Sequence, residues 1–416
     1  MRSQSSATMK WPASSFLRDR KRRPRAWGWG VLLPMLALAP AWAAARGPTG
    51  STHEPADGRN DPRITATAAV LMDAGSGQLL FSRNPDLRWP PASTTKIMTA
   101  LVALERVPEE TRIEISPQVA RFREGTVVGL PRHARIPLHD LLYALLLPSG
   151  NDAALAIAEG VAGTVSAFVA QMNAEAQRLG ALHTHFTSPH GLYNPDHYST
   201  AYDLALITRV AMRRPAFREI VQTRRWTFLP PGGRARWLMN HNRLLVRYPG
   251  ADGVKTGYVH QSGQTLVASA THNGWRLIAV LLRSRDEWGD AARLLNYGFT
   301  HYRPAELASA GEQLVAAQIP GADGLLIGIA PETTYGTIVP GETPQRRVRL
   351  DARLAPPVRA GDRIGEADFY ASGRLLGTVP VVAAGNLAPR RHPMGLSGIV
   401  SWVGRLMALI SGSVHL

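Results

Sequence analysis

Asn273-Gly274 lies between two apolar runs, residues 265–270 and 275–282, and this pattern commits the chain to a long antiparallel hairpin. The tight turns that join such strands need positive φ at both central positions, which asparagine and glycine tolerate. A second hairpin is expected earlier: residues 64–73 alternate into a strand, Gly75-Ser76-Gly77 turns the chain, and residues 78–82 return. Between the hairpins the period becomes helical. Pro90-Pro91 precede a stretch in which Ile97, Met98, Leu101 and Leu104 recur at helix spacing. Further helices are expected over 138–147, 152–161, 165–179, with Gly180 as C-cap, and 201–212; residues 287–299 read as a closing helix. Beyond about Pro304, short β runs separated by Gly, Pro and Asp predict a separate small β domain.

The two ends read differently. A basic run over 18–25, an apolar stretch over 27–41 and Ala41-Trp42-Ala43 follow the order of a secretory leader. The apolar stretch is short for a membrane span and contains Pro34 and Pro40, so cleavage is expected rather than anchoring. Near the other end, the apolar residues of 396–410 cover most of a helix surface, with Ser397, Ser401 and Arg405 on the remaining stripe. That length suits a helix lying in a membrane interface rather than crossing it. The organisation expected is therefore a leader over 1–44, a linker over 45–63, a mixed helix-and-strand domain over 64–304, a β domain over 305–388 and an amphipathic anchor over 394–412.

The leader carries eight Lys/Arg and one acid, so the rest of the chain keeps 39 basic and 30 acidic residues, and these are scattered. No basic stripe interleaved with aromatics appears, which argues against nucleic acid as a partner. A mildly cationic surface suits anionic lipid or wall polymer. The chain has no cysteine, hence no disulfide, thiolate metal site or cysteine nucleophile. No defensible metal or triad grouping emerges among the 13 histidines, and no metal or organic cofactor is expected.

Lysine is scarce. It occurs only at Lys10, Lys21, Lys96 and Lys255, and arginine fills the other basic positions. Arginine stays protonated, whereas lysine can act as a base. Lys96 belongs to Ser93-Thr94-Thr95-Lys96, at the start of the first expected helix. Residues at i and i+3 share a helix face, so the amine can reach the hydroxyl and take its proton. Lys255 opens Lys255-Thr256-Gly257, where a compact ammonium, a hydroxyl and a glycine can receive a carboxylate and admit a substrate backbone. Ser149-Gly150-Asn151, in the break between two helices, offers a second hydroxyl and an amide.

These three sets, in this order, match the signature of penicillin-binding proteins and serine β-lactamases. Residues 70–74, 91–101, 145–153, 197–204, 240–245, 252–258 and 266–270 further resemble the D-alanyl-D-alanine carboxypeptidase family, the low-molecular-mass penicillin-binding proteins of the type-5 group. The resemblance implies a mixed α/β (α+β) fold: a penicillin-binding, serine β-lactamase-like transpeptidase domain with an antiparallel sheet and a helical lobe, followed by a small all-β domain. It implies that Ser93 attacks the bond between two D-alanines of a peptidoglycan stem peptide and that Lys96 accepts its proton. Ser149 would relay protons, Asn151 would hold the substrate amide, and Lys255 and Thr256 would position the terminal carboxylate. Backbone N–H groups of Ser93 and Tyr258 would form the oxyanion hole, and Gly257 would join Lys255, Thr256 and Tyr258 in binding substrate. β-Lactams would act as covalent inhibitors, outside the cytoplasmic membrane.

Some residues receive no such role. Residues 283–288 form a shorter loop than in some relatives, so no arginine there is assigned to substrate. His190 and His197 are expected to order the 188–198 loop or cap the next helix, and 240–245 is expected to be structural. A serine β-lactamase remains an alternative, although Glu219, the only glutamate late between the second and third motifs, has surroundings unlike a water-activating one. A D,D-endopeptidase and a catalytically silent wall-binding scaffold are further alternatives.

Overall fold

The computed structural model describes residues 61–390. The leader expected over 1–44, nearly all of the linker and the helix expected over 394–412 lie outside the described residues. The first hairpin is β1 (Ala68–Asp73) and β2 (Leu79–Arg83). A helical segment follows, with α1 (Lys96–Arg106), α2 (Leu138–Leu146), α3 (Asn151–Ala162), α4 (Val165–Arg178), α5 (Ala201–Ala211) and α6 (Pro215–Gln222) as its main helices. The chain then returns through β3 (Ala251–Val259), β4 (Gly263–His272) and β5 (Trp275–Ser284), and closes with α7 (Glu287–His301). Asn273 and Gly274 both have positive φ, as their hairpin requires.

The five strands form one antiparallel sheet in the order β2–β1–β5–β4–β3. Its central strands are covered on both faces, which is why they read as apolar runs. Val70, Val267, Ile278 and Val280 pack into the helical lobe, while their neighbours Leu71, Leu266, Leu277 and Ala279 pack with Leu294 and Leu295 of α7. Local chemistry sets the helix starts: the Thr164 and Thr200 hydroxyls accept the N–H groups of Ala167 and Asp203 at the heads of α4 and α5. Gly180, just after α4, has φ +78°. Helix α6 and the hairpin of Arg225–Phe228 with Arg236–Met239 were not expected from the sequence. The helix is short, with Pro215 at its first turn, and its apolar face, Phe217, Ile220 and Val221, is buried.

From Arg303 onward the chain is all β. A five-stranded sheet from Gln313–Gln318 to Arg374–Ala383 and two small two-stranded sheets surround a core that includes Leu326, Ile364, Phe369, Val379 and Val381. This part touches the first sheet through the Thr337 hydroxyl, which donates to the Asp73 carboxylate at 2.5 Å.

Candidate active site

The chain enters the site through a one-turn 3-10 helix, Ala92–Thr95, immediately before α1. Two threonines brace this turn: Thr94 Oγ1 donates to the Pro91 carbonyl and Thr95 Oγ1 to the Ala92 carbonyl, each at 2.7 Å. Ala92 is held at φ +51°, a conformation an alanine adopts only where its surroundings compel it. Ser93 is left half-buried, while Thr94, Thr95 and Lys96 are fully buried.

Lys96 Nζ donates to Ser93 Oγ at 3.0 Å, to Asn151 Oδ1 at 2.7 Å and to the His190 carbonyl at 2.8 Å. All three acceptors are neutral. Burial pushes the Lys96 ammonium well below the usual lysine range, and the charge of Lys255 pushes the same way, against an opposing pull from Asp152. The i, i+3 spacing read from the sequence therefore places an amine whose charged form burial disfavours against a serine hydroxyl.

The second set converges on the same amine. Asn151 begins α3, its Nδ2 donates to the Glu124 carbonyl at 2.9 Å, and its Oδ1 is thereby turned toward Lys96. Ser149 precedes it at φ +68°, and its buried Oγ has no hydrogen-bond partner among the described residues. A buried hydroxyl without a partner is costly unless something joins it during the working cycle.

The third set lies on β3. Register places Lys255 opposite Val267, and Gly257 opposite Thr265. Lys255 is fully buried, and its Nζ donates to the carbonyl of Thr256 at 3.0 Å. Desolvation lowers its pKa to about 7. Thr256 is half-buried and Tyr258 exposed. Gly257 packs against the nucleophile turn: a Cβ there would fall 2.4 Å from Thr265 Oγ1 and 3.0 Å from both the Pro91 carbonyl oxygen and the Ser93 nitrogen. The structure thus joins Ser93, Lys96 and Asn151 by hydrogen bonds, with Lys255 near enough for its charge to act on Lys96 and Ser149 two residues before Asn151.

Of the supporting residues, the sequence pointed to His197 as a group ordering the 188–198 loop but not to Asp152. His197 lies fully inside, with Nδ1 accepting the Thr187 N–H at 3.0 Å. Its Nε2–H therefore donates to Thr95 Oγ1, 2.8 Å away, tying the 188–198 loop to the turn that carries Ser93. Its pKa is lowered to about 4, chiefly by burial, so the imidazole is neutral. Asp152 accepts the N–H groups of Val128, Gly129 and Leu130, which fixes the loop against Asn151. The expectation that 240–245 is structural is met: Asn242 Nδ2 donates to the Gly253 carbonyl at 2.7 Å, bracing the start of β3. Arg283 is exposed with its guanidinium over the Trp89 ring, and Glu219 is exposed on α6. Among the described residues no grouping of His, Cys, Asp and Glu could hold a metal ion.

A family profile described as D-alanyl-D-alanine carboxypeptidase matches residues 55–286, more than half of the chain. The chain is 31% identical over 333 residues to the D-alanyl-D-alanine carboxypeptidase DacA of Haemophilus influenzae, covering 76% of this chain and 84% of that one. It is 27% identical over 365 residues to DacF of Bacillus subtilis, covering 84% and 92% respectively. Penicillin binding protein 5 from Haemophilus influenzae has the same fold with a TM-score of 0.71 at 30% identity, over 80% of this chain and all of that one. Profile, relatives and fold agree, and the chain belongs to the D-alanyl-D-alanine carboxypeptidase family, the penicillin-binding serine peptidases that act on D-Ala-D-Ala.

Proposed function

We propose that this carboxypeptidase removes the last D-alanine of peptidoglycan stem peptides through an ester on Ser93, with the other site residues in fixed roles. One observation carries the reading: Lys96 Nζ lies 3.0 Å from Ser93 Oγ, burial lowers its pKa, and it forms no ion pair with a carboxylate among the described residues. Ser93 Oγ attacks the carbonyl carbon between the two D-alanines as its proton passes to Lys96 Nζ. The C–N bond then breaks, the proton reaches the departing amine through Ser149, and water later frees the acyl group from Ser93. Asn151 orients Lys96 and the substrate amide. Lys255, with Thr256, receives the terminal carboxylate. The N–H groups of Ser93 and Tyr258 stabilise the oxyanion, and the side-chain-free Gly257 allows the strand its close approach to Ser93. A β-lactam follows the same first step, its opened ring remaining on Ser93.

The compartment proposed is the outer face of the cytoplasmic membrane, with residues 1–44 removed and residues 394–412 lying in the interface. The basic and apolar order of the leader and the apolar surface of 396–410 support this. Among the described residues no single helix is long and apolar enough to cross a membrane.

Incubating the purified protein with defined disaccharide pentapeptides should yield tetrapeptides by mass. Ser93→Ala should abolish both this product and covalent labelling by a fluorescent penicillin while leaving the fold intact. Undiminished labelling of the folded variant would remove Ser93 as the nucleophile.

A further inference from the structure

At the end of the sheet remote from Ser93, the two hairpin turns and the end of α5 meet Pro304 and Tyr335 of the β part around a cavity of about 640 Å³. Arg276 of β5 lines it, whereas the Ser93 turn is approached by Gly257, which lies across Thr265 from Leu282. The six residues from Arg276 to Leu282 separate the two places by roughly 20 Å.

Four arginines line this cavity, Arg209, Arg213, Arg218 and Arg276, against one carboxylate, Asp73. Asp73 is already engaged by the Gly75 N–H and the hydroxyls of Ser76 and Thr337. Arg276 pairs with Asp252 at 2.9 Å. The other three guanidinium groups have no carboxylate partner among the described residues. Arg209 donates to the carbonyls of Ala74 and Gly75, Arg218 to those of Met212 and Arg213, and Arg213 is exposed. Burial lowers the Arg209 pKa to about 10, with the Arg213 charge as the next cause, yet the group stays cationic at neutral pH. The Asp73 charge pulls the other way without pairing with Arg209, so four cations face one carboxylate that is already engaged, an arrangement that an anionic ligand relieves. Trp275, Tyr335 and Met212 supply an apolar wall beside the charges.

We propose that this cavity is a second binding site, separate from the catalytic site, for a phosphate group borne on an organic body. A lipid headgroup and a small soluble phosphate ester both present that chemistry, and the four guanidinium groups suit its multiple charge better than a single carboxylate. An occupant would sit where Thr337 joins the β part to Asp73, and one tethered to the wall or membrane would raise the local concentration of substrate.

The test uses the full chain and three probes: glycerol 1-phosphate, a soluble tetrapeptide muropeptide, and phosphatidylcholine vesicles with and without phosphatidylglycerol. Glycerol 1-phosphate or the phosphatidylglycerol vesicles should bind saturably and more weakly as salt rises. Arg213→Glu, at an exposed position, should weaken that binding about tenfold or more, and Arg218→Gln should weaken it in the same direction. Arg359→Glu, an equal charge change on the β part, should leave it unaltered, and penicillin acylation of Arg213→Glu should match the parent. The responding probe identifies the source of the phosphate. Failure of both phosphate probes to bind saturably, saturable binding of the muropeptide alone, an equal loss in Arg359→Glu, or a parallel loss of acylation in Arg213→Glu would overturn the proposal.

Discussion

Gly257 and Ser93 are in contact through backbone alone: the position a Cβ would take on Gly257 is 3.0 Å from the Ser93 nitrogen and 2.4 Å from Thr265 Oγ1. The edge strand can approach the nucleophile turn only because this residue has no side chain. Gly257→Ala should push β3 from the turn and misplace the N–H groups assigned to the oxyanion. Acylation by a penicillin should fall by roughly 10²-fold or more, the usual cost of one such donor. Stability should drop by about 1–3 kcal/mol through overpacking. Stopped-flow acylation and thermal melts on the same preparation check both, and a folded variant with parental acylation would refute the assignment.

The two lysines separate base chemistry from charge. Lys96→Arg keeps a cation but removes a group that can lose its proton, so acylation should slow by at least about 10²-fold. Lys255→Arg should lose less, mainly as weaker substrate binding, because a guanidinium still meets a carboxylate. Acylation rates on both folded variants decide this. Near-parental acylation by Lys96→Arg would sink the base assignment, and an equally inert Lys255→Arg would give that residue a role beyond carboxylate recognition.

A pH profile follows from the same pair. With its pKa lowered to about 7, Lys255 of the free enzyme discharges as pH rises through neutrality. The kcat/KM for a D-Ala-D-Ala peptide should therefore decline on the alkaline side, and the decline should move to much higher pH in Lys255→Arg, which remains protonated. Identical alkaline limbs in the two proteins would show that Lys255 does not carry it.

Acid should loosen the nucleophile turn. His197 is neutral in the fold with a pKa lowered from 6.5 to about 4, so the unfolded chain binds the extra proton between those values. Stability is then lost as pH falls from about 6.5 to 4, by about 3 kcal/mol at most for this group. His197→Gln should flatten that part of a melting-temperature profile. It should also slow acylation, because the link to Thr95 Oγ1 is remade imperfectly. An unchanged acid slope would disconnect His197 from the effect.

Deleting residues 396–416 should release the mature protein from membranes while turnover of a soluble D-Ala-D-Ala peptide persists. Fractionation and a peptide assay on the truncated protein test this. Retention in the membrane fraction would place the anchor elsewhere.

Much of this protein is determined locally and is legible in order along the chain. Asn273-Gly274 and its flanking apolar runs dictate the last hairpin, because turn geometry and strand pairing at short separation need only neighbours. Ser93 and Lys96 lie one helical turn apart, so their meeting follows from spacing. Lysine kept at 96 and 255 in an arginine-rich chain pointed to chemistry before any contact was known. The tertiary structure alone decided what those lysines are worth as acids and bases. Desolvation depends on which distant residues surround a group, and Lys96 meets Asn151 and the His190 carbonyl across 55 and 94 residues of chain. The tie from His197 to Thr95 spans 102 residues, and Arg209 reaches back 135 to the Ala74 carbonyl. Neither contact has a periodic signature. Short-range stereochemistry could be read from the sequence, whereas burial and long-range hydrogen bonding, which set the charges at both cavities, arise only when the chain closes on itself.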